Sequence, residues 1–288
     1  SGLVLGVFCF FMPATPPPAK GKPVNITTLL MLDAFKMLAN IPFLVFILCS
    51  AAICVPLAYY FAYTSVYLPQ IGFQATASTM ALGQVSEIFF MLLVPFFFRK
   101  LGVKLMILIG MMAWVARYAL FAFGAPEQVV WMIMLGVVLH GICYDFFFVT
   151  GFMYTDNKAP KEIRSQAQSL LVFFTQGIGM FFGYKIAAGS PLFPFISDYK
   201  LTPGFPAVEG SSNALAETIK TPEFGFWESF GKMFLTEKPQ ATGSVVSDAM
   251  SNWKVFWMFP CLMALVVTVI FAVAFWDKYK EEGGSEKA

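Results

Sequence analysis

ASTMALGQVSEIFFMLLVPFFF, residues 77–98, reads as a membrane span with a carboxylate in its middle. Apolar residues fill it, no basic residue occurs before Arg99, and Gln84 and Glu87 lie three apart on one helix face beside Gly83. The run is long enough for a helix, which needs roughly 20 residues to cross the hydrocarbon core. An acidic side chain at that depth costs about 2.5–3.5 kcal/mol on insertion scales, so it faces a protein interior or a watery cavity. Two explanations fit Glu87. It belongs to a site that binds a polar solute or takes up a proton, or it is a structural carboxyl group, held protonated by burial or paired with a neighbouring helix.

The rest of the chain has the same character. Hydrophobic residues make up 58% and charged residues 12%, and the mean hydropathy is +0.70, against about 45–50% apolar and 25% charged in soluble domains. Full-length apolar runs cover about 42–67, 77–98, 103–123, 129–152, 166–188 and 253–275. Backbone amides in lipid must pair within their own segment, so each run is expected to be a helix and the protein an all-α integral membrane protein in contact with the bilayer. The net charge of +2 is spread over short clusters between spans, which argues against a nucleic-acid partner. Cys9, Cys49, Cys54, Cys143 and Cys261 all fall in apolar runs without CxxC spacing, so they are expected to pack as small apolar residues.

Basic residues occupy every second junction: Lys20, Lys22 and Lys36, then Arg99, Lys100 and Lys104, then Lys158, Lys161 and Arg164, then Lys278 and Lys280. By the positive-inside rule these junctions face the cytoplasm of an inner-membrane protein, and so does the C-terminus. The resulting division has four parts. Residues 1–12 form the end of a truncated span, and 13–41 form a Pro-rich cytoplasmic loop with a surface helix over 24–40. Residues 42–277 form the transmembrane bundle, with an extracytoplasmic loop over 190–252 and a short surface helix over 224–235. Residues 278–288 form a cytoplasmic tail. Trp253 and Trp257 outside and Trp276 inside are expected to mark the two interfaces of the last span.

Other polar residues interrupt the spans. Asp145 closes the stretch His140-Gly141-Ile142-Cys143-Tyr144-Asp145, either as a second cavity carboxylate or as a charge near the cytoplasmic helix end. His140, the only histidine, can relay protons or simply pack with a hydrogen bond. Arg117 either snorkels or pairs with an acid, and Lys185 snorkels. Tyr59, Tyr63 and Tyr67 form a line beyond Pro56, an interfacial belt or a gate. Gly177, Gly179 and Gly183 give a small-residue packing face. No HExxH, GxSxG, GxxxxGK[ST] or metal-ligand cluster is present, so an enzyme is not expected.

Three stretches together resemble one family. They are Ser86-Glu87-Ile88 leading to Val94-Pro95-Phe96-Phe97; residues 113–124, AWVARYALFAFG; and Tyr144-Asp145-Phe146-Phe147 with IRSQAQ at 163–168. They are similar to the nucleoside:proton symporter family of the major facilitator superfamily. The resemblance implies the C-terminal six-helix bundle of a twelve-helix transporter plus the end of the preceding helix, with an N-terminal six-helix half as partner. It implies proton-coupled nucleoside uptake without a cofactor, driven by the proton gradient. It further implies that Gln84, Glu87 and Asp145 bind nucleoside, with at least one carboxylate, Glu87 or Asp145, coupled to protons. Tyr144 becomes an aromatic wall, Arg117 a charge typical of the ninth helix, and His140 and Tyr63 further candidate substrate contacts. The chain departs from the family's pattern at Ala58-Tyr59-Tyr60-Phe61, where an amide pair is usual, and at His140, where a tyrosine is usual. Another small solute, such as a sugar or an organic acid, and a non-transporting membrane subunit are the alternative functions.

Overall fold

An apolar run in lipid satisfies its own amides by coiling, and each of the six runs does so in the computed structural model, which describes residues 2–13, 26, 30–189, 204–205, 208–219, 222–241 and 243–276. α1 (Gly2–Cys9) buries no side chain. α2 (Leu32–Phe35) continues into a 3-10 turn, Lys36–Ala39. The Pro-rich connector beyond Pro13, most of the first half of the helix expected over 24–40, and Lys278 and Lys280 lie outside the described residues, as does 190–203 of the long loop.

α3 (Ile41–Ile71) starts at Asn40, whose side chain accepts from the Phe43 amide at 3.2 Å. That bond satisfies one of the amides every helix start leaves free. The rod Thr76–Gly124 is broken at Gly102, where φ is 69°, a backbone angle that glycine adopts without a Cβ penalty. The break lies within the basic junction Arg99 to Lys104 and separates two crossings, α4 (76–101) and α5 (103–124). α6 (Val130–Lys158) and α7 (Lys161–Ala187) follow. Each contains a π-helical stretch, Asp145–Val149 and Phe173–Gly179 respectively. α8 (Glu209–Ala216) and α9 (Phe226–Gly231) belong to the outer loop, and α10 (Gly243–Ala274) is the last crossing.

The six crossings pack around aromatic side chains. Gly179 and Gly183 bring α7 against Ala51 and Ala58 of α3. Two buried hydroxyls tie α3 to α5: Tyr67 Oη donates to the Phe121 carbonyl at 2.8 Å, and Tyr118 Oη donates to the Pro56 carbonyl at 2.7 Å. Several expectations change here. Trp253 and Trp257 are fully buried among Tyr67, Phe121, Phe256 and one another, so they belong to the core and not to an interfacial belt. Tyr59 and Tyr67 are equally buried, which removes them from any belt or gate surface. The surface helix expected over 224–235 is confined to α9, whose Phe226 and Trp227 are exposed, and α8 is a second loop helix that the sequence did not announce. Lys185 lies over the Phe181 ring at 5.5 Å.

Gln70 fastens the outer loop to the bundle. Its Nε2 donates to Ser212 Oγ at 2.7 Å, its Oε1 accepts from Trp253 Nε1 at 2.8 Å, and its carbonyl accepts from Gln128 Nε2 at 3.0 Å. Gln70→Leu keeps the volume and leaves the indole N–H and the serine hydroxyl without their partner in a dry site, at about 1–3 kcal/mol for each group. A lower thermal midpoint in detergent, with the loop near α8 more open to protease, is the expected result. An unchanged midpoint would show that the loop is held elsewhere.

Candidate functional site

Glu87 projects from the middle of α4 toward α6, where its Oε1 lies 2.8 Å from His140 Nε2. Close helix approach makes that contact possible. The Gly141 amide donates to Ser86 Oγ at 2.9 Å, and Ser86 Oγ donates to the Gly83 carbonyl at 2.6 Å. A Cβ at Gly141 would sit 2.5 Å from the Ser86 carbonyl carbon, and one at Gly83 would sit 3.1 Å from His140 Cβ. Glycine in both helices therefore sets the spacing at which imidazole meets carboxylate. His140 is buried, whereas the Glu87 side chain keeps 22% of its surface open. Opposite an ionised Glu87, Nε2 is the nitrogen that carries the hydrogen and donates, assigned from this bond. Its Nδ1 is buried without a partner.

Aromatic rings hold the histidine. Tyr60 stacks on it at 5.3 Å and 20°, Phe61 meets it edge-on at 6.2 Å, and Tyr144 lies at 5.8 Å. Arg117 of α5 also contacts Tyr60, with Cζ 4.3 Å from the ring centroid. The guanidinium is fully buried, and Nε, Nη1 and Nη2 all lack a hydrogen-bond partner. A desolvated cation–π contact contributes about 2 kcal/mol, whereas an unpaired buried ion costs several kcal/mol. Tyr60 alone therefore leaves the charge uncompensated. The sequence predicts that Arg117 snorkels or pairs with an acid. The structure shows neither.

The remaining candidates divide by position. Gln84 is exposed on α4, one turn from Glu87. Tyr144 is half-buried between His140 and Phe148, the latter at 4.8 Å. Asp145 opens the π-helical stretch of α6, fully buried, with neither carboxylate oxygen hydrogen-bonded. Widened turns of this kind occur often at functional positions. Tyr63 is not part of this cluster: it stacks on Phe205 of the outer loop at 4.6 Å and 15°. Ser86 and the Tyr60 ring join this cluster without a mark in the sequence that sets them apart from their neighbours. The only available signal was a glycine beside a polar residue in each helix, Gly83 with Gln84 and His140 with Gly141.

Chemically, an open carboxylate and an exposed amide on one helix face can accept from hydroxyl or amine groups of a polar solute, and the amide can also donate. The carboxylate can also take up and release a proton. Among the described residues no group of His, Cys, Asp and Glu is placed to hold a metal ion. A cavity of about 350 Å³ beneath the outer loop, lined by Pro69, Gln74, Glu237 and Lys238 among others, shares no residue with this cluster.

Residues 1–195 match the family described as Nucleoside H+ symporter. YegT of Escherichia coli (strain K12) is 33% identical over 283 residues, covering 98% of this chain and 56% of its own length. Nucleoside permease NupG of the same strain is 28% identical over 191 residues, 62% of this chain and 46% of the permease. A crystal structure of a mutant of the nucleoside transporter NupG superimposes with a TM-score of 0.64 at 20% identity, over 95% of this chain and 58% of that one, which shows a common fold. This chain spans about half the length of the curated relatives it matches.

Proposed function

Because this chain belongs to the nucleoside H+ symporter family, a family of multi-pass membrane transporters, we propose that it forms one wall of a proton-coupled nucleoside uptake site. The wall works by alternating access, two helical halves rocking about a site near the bilayer midplane. The observation that carries this reading is the mid-span carboxylate of Glu87, partly open and held by His140. A purely structural acid would be closed off. Gln84 and Glu87 bind the hydroxyl groups or base of the nucleoside, and Tyr144 supplies a ring against it. Glu87 takes up the proton, and Asp145 is the second proton-responsive group.

The opposite wall comes from a six-helix half that this chain does not contain. Supporting that division, the chain has about half the relatives' length, and Val85, Ile88, Phe89 and Leu92 form an exposed apolar stripe beside Gln84 on α4. The basic junctions support an inner-membrane protein with its C-terminus in the cytoplasm.

Competition separates substrate classes. Cells that express a protein of the relatives' length carrying this chain should accumulate labelled nucleoside at acid external pH. Excess unlabelled nucleoside should block that uptake, excess sugar or organic acid should not, and a proton uncoupler should abolish it. Blocking by sugar or organic acid alone would overturn the nucleoside assignment.

A further inference from the structure

We infer that Arg117 is a positioning residue of the proton-coupled step: a fixed positive charge, joined to the carboxylate site through Tyr60 and His140, that acts as the countercharge of Glu87. The inference rests on the proposed function above, and three observations carry it.

The first is isolation. Arg117 is fully buried, and none of its three nitrogens is hydrogen-bonded or ion-paired to a side chain or carbonyl of the described residues. The second is connection. Its guanidinium lies 4.3 Å from the Tyr60 ring centroid, that ring stacks on His140 at 5.3 Å, and His140 Nε2 is 2.8 Å from Glu87 Oε1. The third is the inventory of groups around it. α3 presents Tyr60, α4 Glu87, α5 Tyr118, and α6 His140 and Cys143, while Cys54 lies beyond Tyr118 and Tyr144 and Asp145 lie toward Glu87 and not toward the guanidinium. From α10 come Trp257 and Cys261, through contacts to Tyr118 and the Val115 carbonyl. Tyrosines and thiols carry no charge at neutral pH, so among these described groups only the two carboxylates can compensate the guanidinium. Of these, Glu87 is the one hydrogen-bonded to the ring system that Arg117 contacts.

The consequence concerns the proton cycle. When Glu87 takes up a proton and becomes a neutral carboxylic acid, Arg117 loses its countercharge. When the proton leaves to water, the pair is balanced again. In a low-dielectric interior this attraction persists well beyond contact distance. Arg117 therefore favours the return to the unprotonated carrier after each delivery.

The experiment records nucleoside uptake against external pH for the full-length protein. Arg117→Gln should move the pH of half-maximal uptake toward the alkaline side by about one unit, a tenfold change in proton affinity. Arg117→Lys keeps the charge and loses the flat stack on Tyr60, so it should hold the wild-type midpoint while lowering the maximal rate. A wild-type midpoint in Arg117→Gln at normal membrane level would overturn the inference, as would equal displacement by Gln and Lys. If Arg117→Gln fails to reach the membrane, the double variant Arg117→Gln, Glu87→Gln decides. With both charges gone, its membrane level and thermal midpoint should recover to at least half of the single variant's deficit. A double variant as poor as the single one would mean that Arg117 is held for packing alone. That arm reads no transport, so it stands apart from the substrate assignment, whereas a wild type that takes up no nucleoside at any pH would remove only the proposed function.

Discussion

Glu87→Gln should abolish proton-driven nucleoside accumulation while leaving the fold intact. The amide has nearly the volume of the carboxyl group and still offers an oxygen to His140 Nε2, now 2.8 Å from the carboxylate. What it cannot do is bind and release a proton. The expected loss of accumulation is on the order of 100-fold, comparable to removing a positioned proton-transfer group. The variant stands in for the protonated carrier, a state the folded protein visits in every cycle, so its membrane level and its thermal midpoint should stay close to those of wild type at acid pH, where the hydrogen bond to the imidazole also survives. The competing account treats the acid as a structural partner of α6. It expects the reverse: a lower thermal midpoint, with transport falling only in proportion to the protein lost. Uptake and thermal denaturation of one preparation separate the two.

The second large effect is expected at Gly141→Ala. The new methyl carbon would sit 2.5 Å from the Ser86 carbonyl carbon, 2.6 Å from its oxygen and 2.7 Å from its hydroxyl. Backbone atoms cannot rotate away as a side-chain tip would, so α4 and α6 must separate by about an ångström, at about 1–3 kcal/mol for overpacking. The separation also lengthens the Gly141 amide bond to Ser86 and moves His140 away from Glu87. Uptake should fall at least tenfold, as misplacing reacting groups by an ångström readily does, with a lowered thermal midpoint. Gly177→Ala is the control. Its added carbon would meet only a Phe173 ring atom at 3.6 Å, an ordinary contact, and should leave both readings near wild type.

Much of the fold could be read because membrane helices obey a severe local rule: residues in lipid must be apolar, and their amides must pair within the segment. The six runs and the basic turn at Gly102 follow from that rule without any knowledge of packing. Trp253 and Trp257 show its limit. Aromatic residues serve both interfacial belts and bundle cores, and only the contacts with Tyr67 and Phe121 distinguish the two uses. The site was legible in part for the same reason. Glu87 stood out because a carboxylate in lipid is expensive, and Gln84 because it shares the helix face. That Glu87 meets His140 depends on the relative register of α4 and α6, set by Gly83, Ser86 and Gly141 across helices distant in sequence. Arg117 was visible as an anomaly, but its contact with Tyr60 was not, since no local pattern specifies which ring of α3 faces which turn of α5.

The central claim is that Glu87 carries the proton that accompanies nucleoside entry. Its most direct test is the alkalinisation of a lightly buffered medium when nucleoside is added to de-energised cells expressing the full-length protein. Wild type should draw protons inward with the nucleoside. Glu87→Gln, present at the same membrane level, should exchange internal for external nucleoside without any proton signal. A Glu87→Gln variant that still moves protons with nucleoside at the wild-type ratio would contradict the account.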